Sequence, residues 1–200
     1  MSAEPIPPLP RPWQPDPIRQ ARADYTLEDL LALPPDAPRI ELLDGVIHVT
    51  PSPTLGHQNV SLLLAQWLLR RAPAQLRVAQ AVGVALSGNT SRQPDVLLHR
   101  ADVRLDRSFL MPEDVVLAIE IVSPGTRRTD RFAKPGEYAA AGIPFYWRIE
   151  QDPVHVYAYR LGARSGRSGE RQYELITDSD DAIKLTEPFP IELSVADITP

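Results

Sequence analysis

The chain has 200 residues, a formal net charge of −5 and no cysteine. That length suits one domain with a core of its own, and the missing thiols exclude disulfides, thiolate metal sites and cysteine nucleophiles, as expected of a cytoplasmic protein. The acidic balance argues against a module that coats nucleic acid through phosphate contacts alone; no apolar run reaches the ~18 residues of a membrane span, and no basic-then-apolar leader opens the chain.

Residues 1–23 carry seven prolines, from Pro5 to Pro17. Proline fixes φ and removes amide donors, so this stretch is expected to be an extended arm, loose or packed through Trp13, ahead of a single domain over 24–200. Thr26 with Asp29 three residues on marks a helix start, and Pro34-Pro35 its end. Asp44-Gly45 between the apolar runs of 39–50 predicts a hairpin. His57 to Arg71 carries Val60, Leu63, Leu64, Trp67 and Leu68 at helical spacing. Residues 75–86 read as one strand bent at Gly83, and Asp95–Leu98 as a short strand after Pro94. Val115–Val122 is almost wholly apolar and predicts a central strand buried on both faces.

A helix is expected over 129–141, broken or kinked by Pro135. Strands follow at 144–149 and 154–160, a hairpin loop at 162–169, and an antiparallel tail at 173–176 and 182–185. There is no repeat. The sum is a mixed α/β sheet with flanking helices and a C-terminal antiparallel extension.

Three carboxylates stand in apolar surroundings: Glu41, Asp95 and Glu120. Burying an ionised acid is costly without a partner. Each of them alone has an ordinary reading, as a surface residue or an arginine partner. If they converge, two like charges 4 Å apart repel by roughly 4 kcal/mol at an effective dielectric of ~20. Either one acid then holds a proton or a cation binds. Oxygen donors alone suit Mg²⁺ or Mn²⁺.

Gln93-Pro-Asp-Val-Leu-Leu98 followed by Ile119-Glu-Ile-Val-Ser-Pro124 resembles the two halves of a PD-(D/E)XK site. The longer run from Glu120 to Lys134, with Tyr138-Ala-Ala-Ala-Gly-Ile-Pro-Phe-Tyr-Trp147, resembles the Uma-two family of restriction-endonuclease-like proteins. Tyr25–Leu30, Glu41-Leu-Leu-Asp-Gly45, Pro51-Ser-Pro53 and His57 match its opening motifs. The resemblance spans 25 to about 160. It implies a restriction-endonuclease-like core with Glu41, Asp95 and Glu120 at the acidic positions, a further metal ligand in the Ile121 carbonyl, and Lys134 as the lysine. In many relatives of the wider superfamily that lysine stands where this chain has Val122. Pro135 and Phe145 are departures beside the site.

The resemblance implies an Mg²⁺- or Mn²⁺-dependent endonuclease acting on nucleic acid, DNA by analogy, with a homodimer suggested by the two strands of a duplex. Lys134 would orient water and offset phosphate charge; its ordinary reading is a solvated helix lysine, although only Lys184 shares its type. Arg127, Arg128 and Arg131 are candidates for phosphate contact, or for pairing with Asp130 and Glu137. His57 either contacts a phosphate or an acid, or caps its helix. Tyr138 is expected in the core or just behind the site, and Tyr146 and Trp147 in the sheet, with base stacking the other reading for these two. Two other functions stay open: a nuclease-fold binding or assembly protein without catalysis, and hydrolysis of a small phosphate ester.

Overall fold

The computed structural model describes residues 13–34, 37–123, 125, 127–163 and 171–200. Part of the proline-rich arm is not extended: Pro17–Arg22 form a short helix, α1. Proline at the first helical position gives up an N–H that the first turn leaves unpaired anyway, and the Asp16 carboxylate accepts from the Ile18 N–H at 2.8 Å. Trp13 packs with Tyr25, Leu42 and Ile47. The Gln20 amide meets the carbonyl and N–H of Ile47 at 2.6 and 3.1 Å. These contacts seat residues 13–23 on the domain.

Leu27–Leu31 (α2) opens as expected, with the Asp29 carboxylate accepting from the Thr26 N–H. Ile40–Leu43 (β1) and Val46–Val49 (β2) form the expected hairpin. Its turn residues Asp44 and Gly45 both have positive φ, 48° and 78°, as a two-residue turn matched to strand twist requires. A Cβ on Gly45 would overlap the Ala23 carbonyl. Gly45→Ala is therefore expected to lower stability by about 2 kcal/mol or more. An unchanged urea midpoint would contradict that contact.

Leu55–Arg71 (α3) buries Val60, Leu64, Trp67 and Leu68. Residues 75–86 are two strands rather than one: Leu76–Gln80 (β3) and Gly83–Ser87 (β4) lie in different sheets. The chain turns between them at Ala81, with φ 51°, two residues before the glycine expected to bend it. Thr90–Arg92 (β5), Val96–Arg100 (β6), Phe109–Leu110 (β7) and Val115–Ile121 (β8) follow.

The segment 129–141 divides into a π-helical turn, Thr129–Ala133, and Lys134–Ala141 (α4). The Lys134 N–H reaches back to Thr129 O, a wide turn that places Pro135, which lacks a donor, at the start of α4 instead of inside it. Pro135 thus shifts the helix register without ending the helix. Then come Phe145–Gln151 (β9), Val154–Leu161 (β10), Tyr173–Ser179 (β11), Ala182–Leu185 (β12) and Ile191–Ser194 (β13). Most of the loop expected at 162–169 lies outside the described residues.

The fold is mixed α/β, and its strands divide among more than one sheet. Six strands run β11-β10-β9-β8-β6-β3; five run β2-β1-β5-β4-β7; β12 and β13 pair as a hairpin. In the six-stranded sheet only β8 and β9 are parallel, joined through α4. Side chains alternate between its faces. Val96, Leu98, Leu117, Ile119 and Trp147 pack under α3 and the β12–β13 hairpin. Leu97, Ala118 and Tyr146 face the other way, towards Tyr138 of α4 and Val84 of β4. Glu120 shares the parity of Ala118, so its carboxylate enters on the α4 side.

Candidate active site

Asp95 stands just before β6. Its N–H donates to Ile119 O at 3.1 Å, and its Oδ2 accepts from the Ile121 N–H at 2.8 Å. Proline suits this position, because Pro94 needs no ladder partner at a strand entry. Neighbouring β8 brings Glu120 to the same end of the sheet. Glu120 is next to last in its strand and 1 % exposed. Its Oε2 accepts from Lys134 Nζ at 2.8 Å and its Oε1 from the Tyr138 hydroxyl at 2.6 Å.

Lys134 is buried among acids: Asp130 Oδ1 lies 3.1 Å and Glu41 Oε1 3.6 Å from its Nζ. Lys134 is thus not a solvated helix lysine. Asp130 and Lys134, four residues apart, both face inward. Glu41 comes from β1, in the other sheet. Its Oε2 holds Arg92 Nη1 at 2.7 Å and its Oε1 accepts from the Gln93 N–H at 3.1 Å. Arg92 also grips Glu137 through Nε and Nη2, at 2.6 and 2.7 Å. The structure thus gathers Glu41, Asp95, Glu120 and Lys134 into one buried ion network.

Electrostatics follow from burial and charge count. Burial, with Asp95, Asp130 and Glu41 nearby, pushes Glu120 up to about 8 against the pull of Lys134. Burial alone would lower Lys134, but Glu120, Glu41, Asp130 and Asp95 outweigh it and raise it. For Glu41 the burial cost is overcome by Lys134 and Arg92, and for Asp95 by His57 and Lys134; both sit below the usual carboxylate range. Lys134 and Arg92 thus offset part of the acids' charge, and burial beside the other carboxylates favours the protonated form of Glu120.

His57 reaches the centre. Its Nε2 is 3.1 Å from Asp95 Oδ2. The capping role falls to Thr54, whose hydroxyl accepts from the His57 N–H at 3.3 Å. His57 Nδ1 is buried with no hydrogen-bond partner among the described residues. Arg131 does not join the centre: it forms a two-pronged pair with Glu150, both bonds at 2.9 Å, and neither Asp130 nor Glu137 is its partner. Arg127 and Arg128 are exposed and make no ion pair among the described residues.

Sequence reasoning missed Arg92, Asp130 and Arg39 as members of the network. Asp130 carried a signal, being four residues before Lys134 on one helical face. Arg39 donates from Nε and Nη2 to the side chain and carbonyl of Gln93, at 2.5 and 2.8 Å. Its Nη2 is 3.6 Å from Asp95 Oδ1, too long for a hydrogen bond.

Among the described residues no three His, Asp or Glu side chains are arranged to hold a metal ion. The geometry explains this: both oxygens of Glu41 and of Glu120 have donors. Asp95 Oδ1 is the oxygen with no hydrogen bond among the described residues. Mg²⁺ is commonly held by one or two carboxylates with water completing the shell. Of the three acids, Asp95 offers an oxygen without a hydrogen bond among the described residues; Glu120 would join it at a cation by giving up its bond from Lys134 or Tyr138.

The fold is mixed α/β, with an acid–lysine centre at one end of the sheet beside the crossover between its two parallel strands. The family model described as "Putative restriction endonuclease", Uma2, matches residues 27–198, and the chain belongs to that family. A crystal structure titled as a "putative nuclease belonging to DUF820" from Anabaena variabilis is similar in fold. Its TM-score is 0.67 at 21% identity, over 87% of this chain and 97% of that one. No curated protein matches the chain.

Proposed function

We propose that the protein hydrolyses phosphodiester bonds in nucleic acid, DNA in the first instance, with the help of Mg²⁺ or Mn²⁺. The observation that carries this reading is the convergence of Asp95, Glu120 and Lys134 from β6, β8 and α4 on one buried point. Asp95, Glu120 and the Ile121 carbonyl would hold the cation, which supplies Lewis-acid stabilisation of charge on the phosphoryl oxygens. Asp95 is pre-set for this by the Ile121 N–H and His57, which pin Oδ2 and leave Oδ1 open. Lys134 holds a proton firmly and offers N–H donors to a water or a phosphate oxygen. Tyr138 fixes the Glu120 carboxyl, and Arg92 keeps Glu41 in place beside Lys134.

A second reading has an observation of its own. The centre is buried and its acids are paired internally with Lys134 and Arg92, which suits a nuclease-fold protein that binds or assembles without cutting. A panel of supercoiled plasmid, single-stranded DNA, RNA and nucleotides, each with Mg²⁺, Mn²⁺ or EDTA, separates these readings. Metal-dependent cutting of a polymer supports the nuclease. Turnover of nucleotides alone supports a small-ester hydrolase. Metal-independent binding without turnover supports the second reading.

A further inference from the structure

A cavity of about 200 Å³ lies against the acid centre and shares Arg39, Arg92 and Gln93 with it. Leu30, Leu33, Ile40, Ser91, Ser108 and Phe109 are among its other lining residues. Gly83 lies beneath the Phe109 ring, so near that a Cβ there would overlap it. Gly83 has no positive φ that would call for glycine. What glycine provides at this position is room for the Phe109 ring.

The Gln93 amide is taken up by Arg39 Nε and the Ala81 carbonyl, and Arg92 by Glu41 and Glu137, so an aromatic ring with aliphatic neighbours and the Arg39 guanidinium are what the cavity offers a nucleobase. Every base offers a π-face to stack and edge groups to hydrogen-bond. The volume is below the roughly 300 Å³ at which sites for drug-sized ligands begin, which suits one ring system and not a whole nucleotide. Arg39 links the two places: Nη2 faces Asp95 Oδ1 at 3.6 Å, and Nη1 has no partner among the described residues.

We propose that this cavity takes an unpaired base beside the scissile phosphate, with Arg39 bridging base pocket and phosphate. The substrate is then single-stranded or locally unpaired nucleic acid, since a base inside a duplex cannot enter. This rests on the nuclease reading above and names the substrate class of that site.

The test is fluorescence anisotropy in EDTA with a labelled five-nucleotide DNA strand. The same strand is run with an abasic site at each internal position in turn, and as a duplex. Wild type is expected to bind the intact strand about tenfold more tightly than the duplex or than at least one abasic strand. Gly83→Ala, which pushes the ring into the cavity, and Phe109→Ala, which removes it, are expected to lose that preference while keeping a cooperative urea transition. If Gly83→Ala does not fold, Phe109→Ala carries the test. Equal affinity for intact and abasic strands, no binding by wild type, or a preference kept in a folded variant overturns the proposal. Metal-dependent cutting without base preference removes the pocket and leaves the nuclease. Base preference without cutting removes the nuclease and leaves a base-binding pocket.

Discussion

Lys134→Met is expected to cost about 3–5 kcal/mol of folding stability, the usual penalty for removing one partner from a buried ion network. The methionine fills similar space, so lost packing is a small part of that cost. What remains is the charge on Asp130, deprived of an ammonium 3.1 Å away, and Glu41 with only Arg92 and one backbone donor. A solvent-exposed helix lysine would cost a few tenths of a kcal/mol. Urea unfolding of wild type and variant at neutral pH distinguishes the two. A midpoint within error of wild type would mean that Lys134 is not buried among these acids.

Glu120→Gln is expected to separate stability from function. In metal-free wild type, Glu120 has its folded value pushed up to about 8 from an ordinary 4.5. Between those values the native state holds a proton that the unfolded chain has lost. Stability therefore falls as pH rises through this window, by a few kcal/mol in all. The contribution is fully present below about 4.5 and gone above about 8. Glu41 and Asp95 act in the opposite sense, because their folded values are lowered: their contribution is present above the usual carboxylate range and lost as pH falls below it. Wild type in EDTA should thus be most stable at mildly acid pH. Glutamine copies the shape of the protonated acid without the charge, so the variant should lose the decline between pH 5 and 8. Its stability at pH 8 should equal or exceed that of wild type. Its cutting activity should drop about a hundredfold or more, as a ligand and charge stabiliser is lost. A variant with the same pH slope as wild type would contradict the proton on Glu120.

Much of this site was legible before the fold, for physical reasons. An acid inside Val115–Val122, a run that must be buried on both faces, announces an unusual environment for Glu120. Pro94 before Asp95 marks a strand entry, and antiparallel pairing of β6 with β8 brings the two acids to one end. The hairpin at Asp44-Gly45 was legible because both turn residues tolerate positive φ. Arg92 was not legible: its strand has three residues, too few for a period, and its partners Glu41 and Glu137 are 51 and 45 residues away. The division of 75–86 also escaped, since the turn falls on Ala81, which has no turn chemistry of its own. Helix α1 was obscured by the prolines around it, although Asp16-Pro17 is itself a helix-start signal.

The most direct measurement is cleavage of supercoiled plasmid by wild type and Asp95→Asn, purified identically, with Mn²⁺, Mg²⁺ or EDTA. Cutting by wild type only when metal is present, reduced about a hundredfold or more in Asp95→Asn, is the result predicted here. Equal cutting by both proteins, or none by folded wild type with either metal, would contradict the acid–lysine centre as the seat of a metal-dependent nuclease.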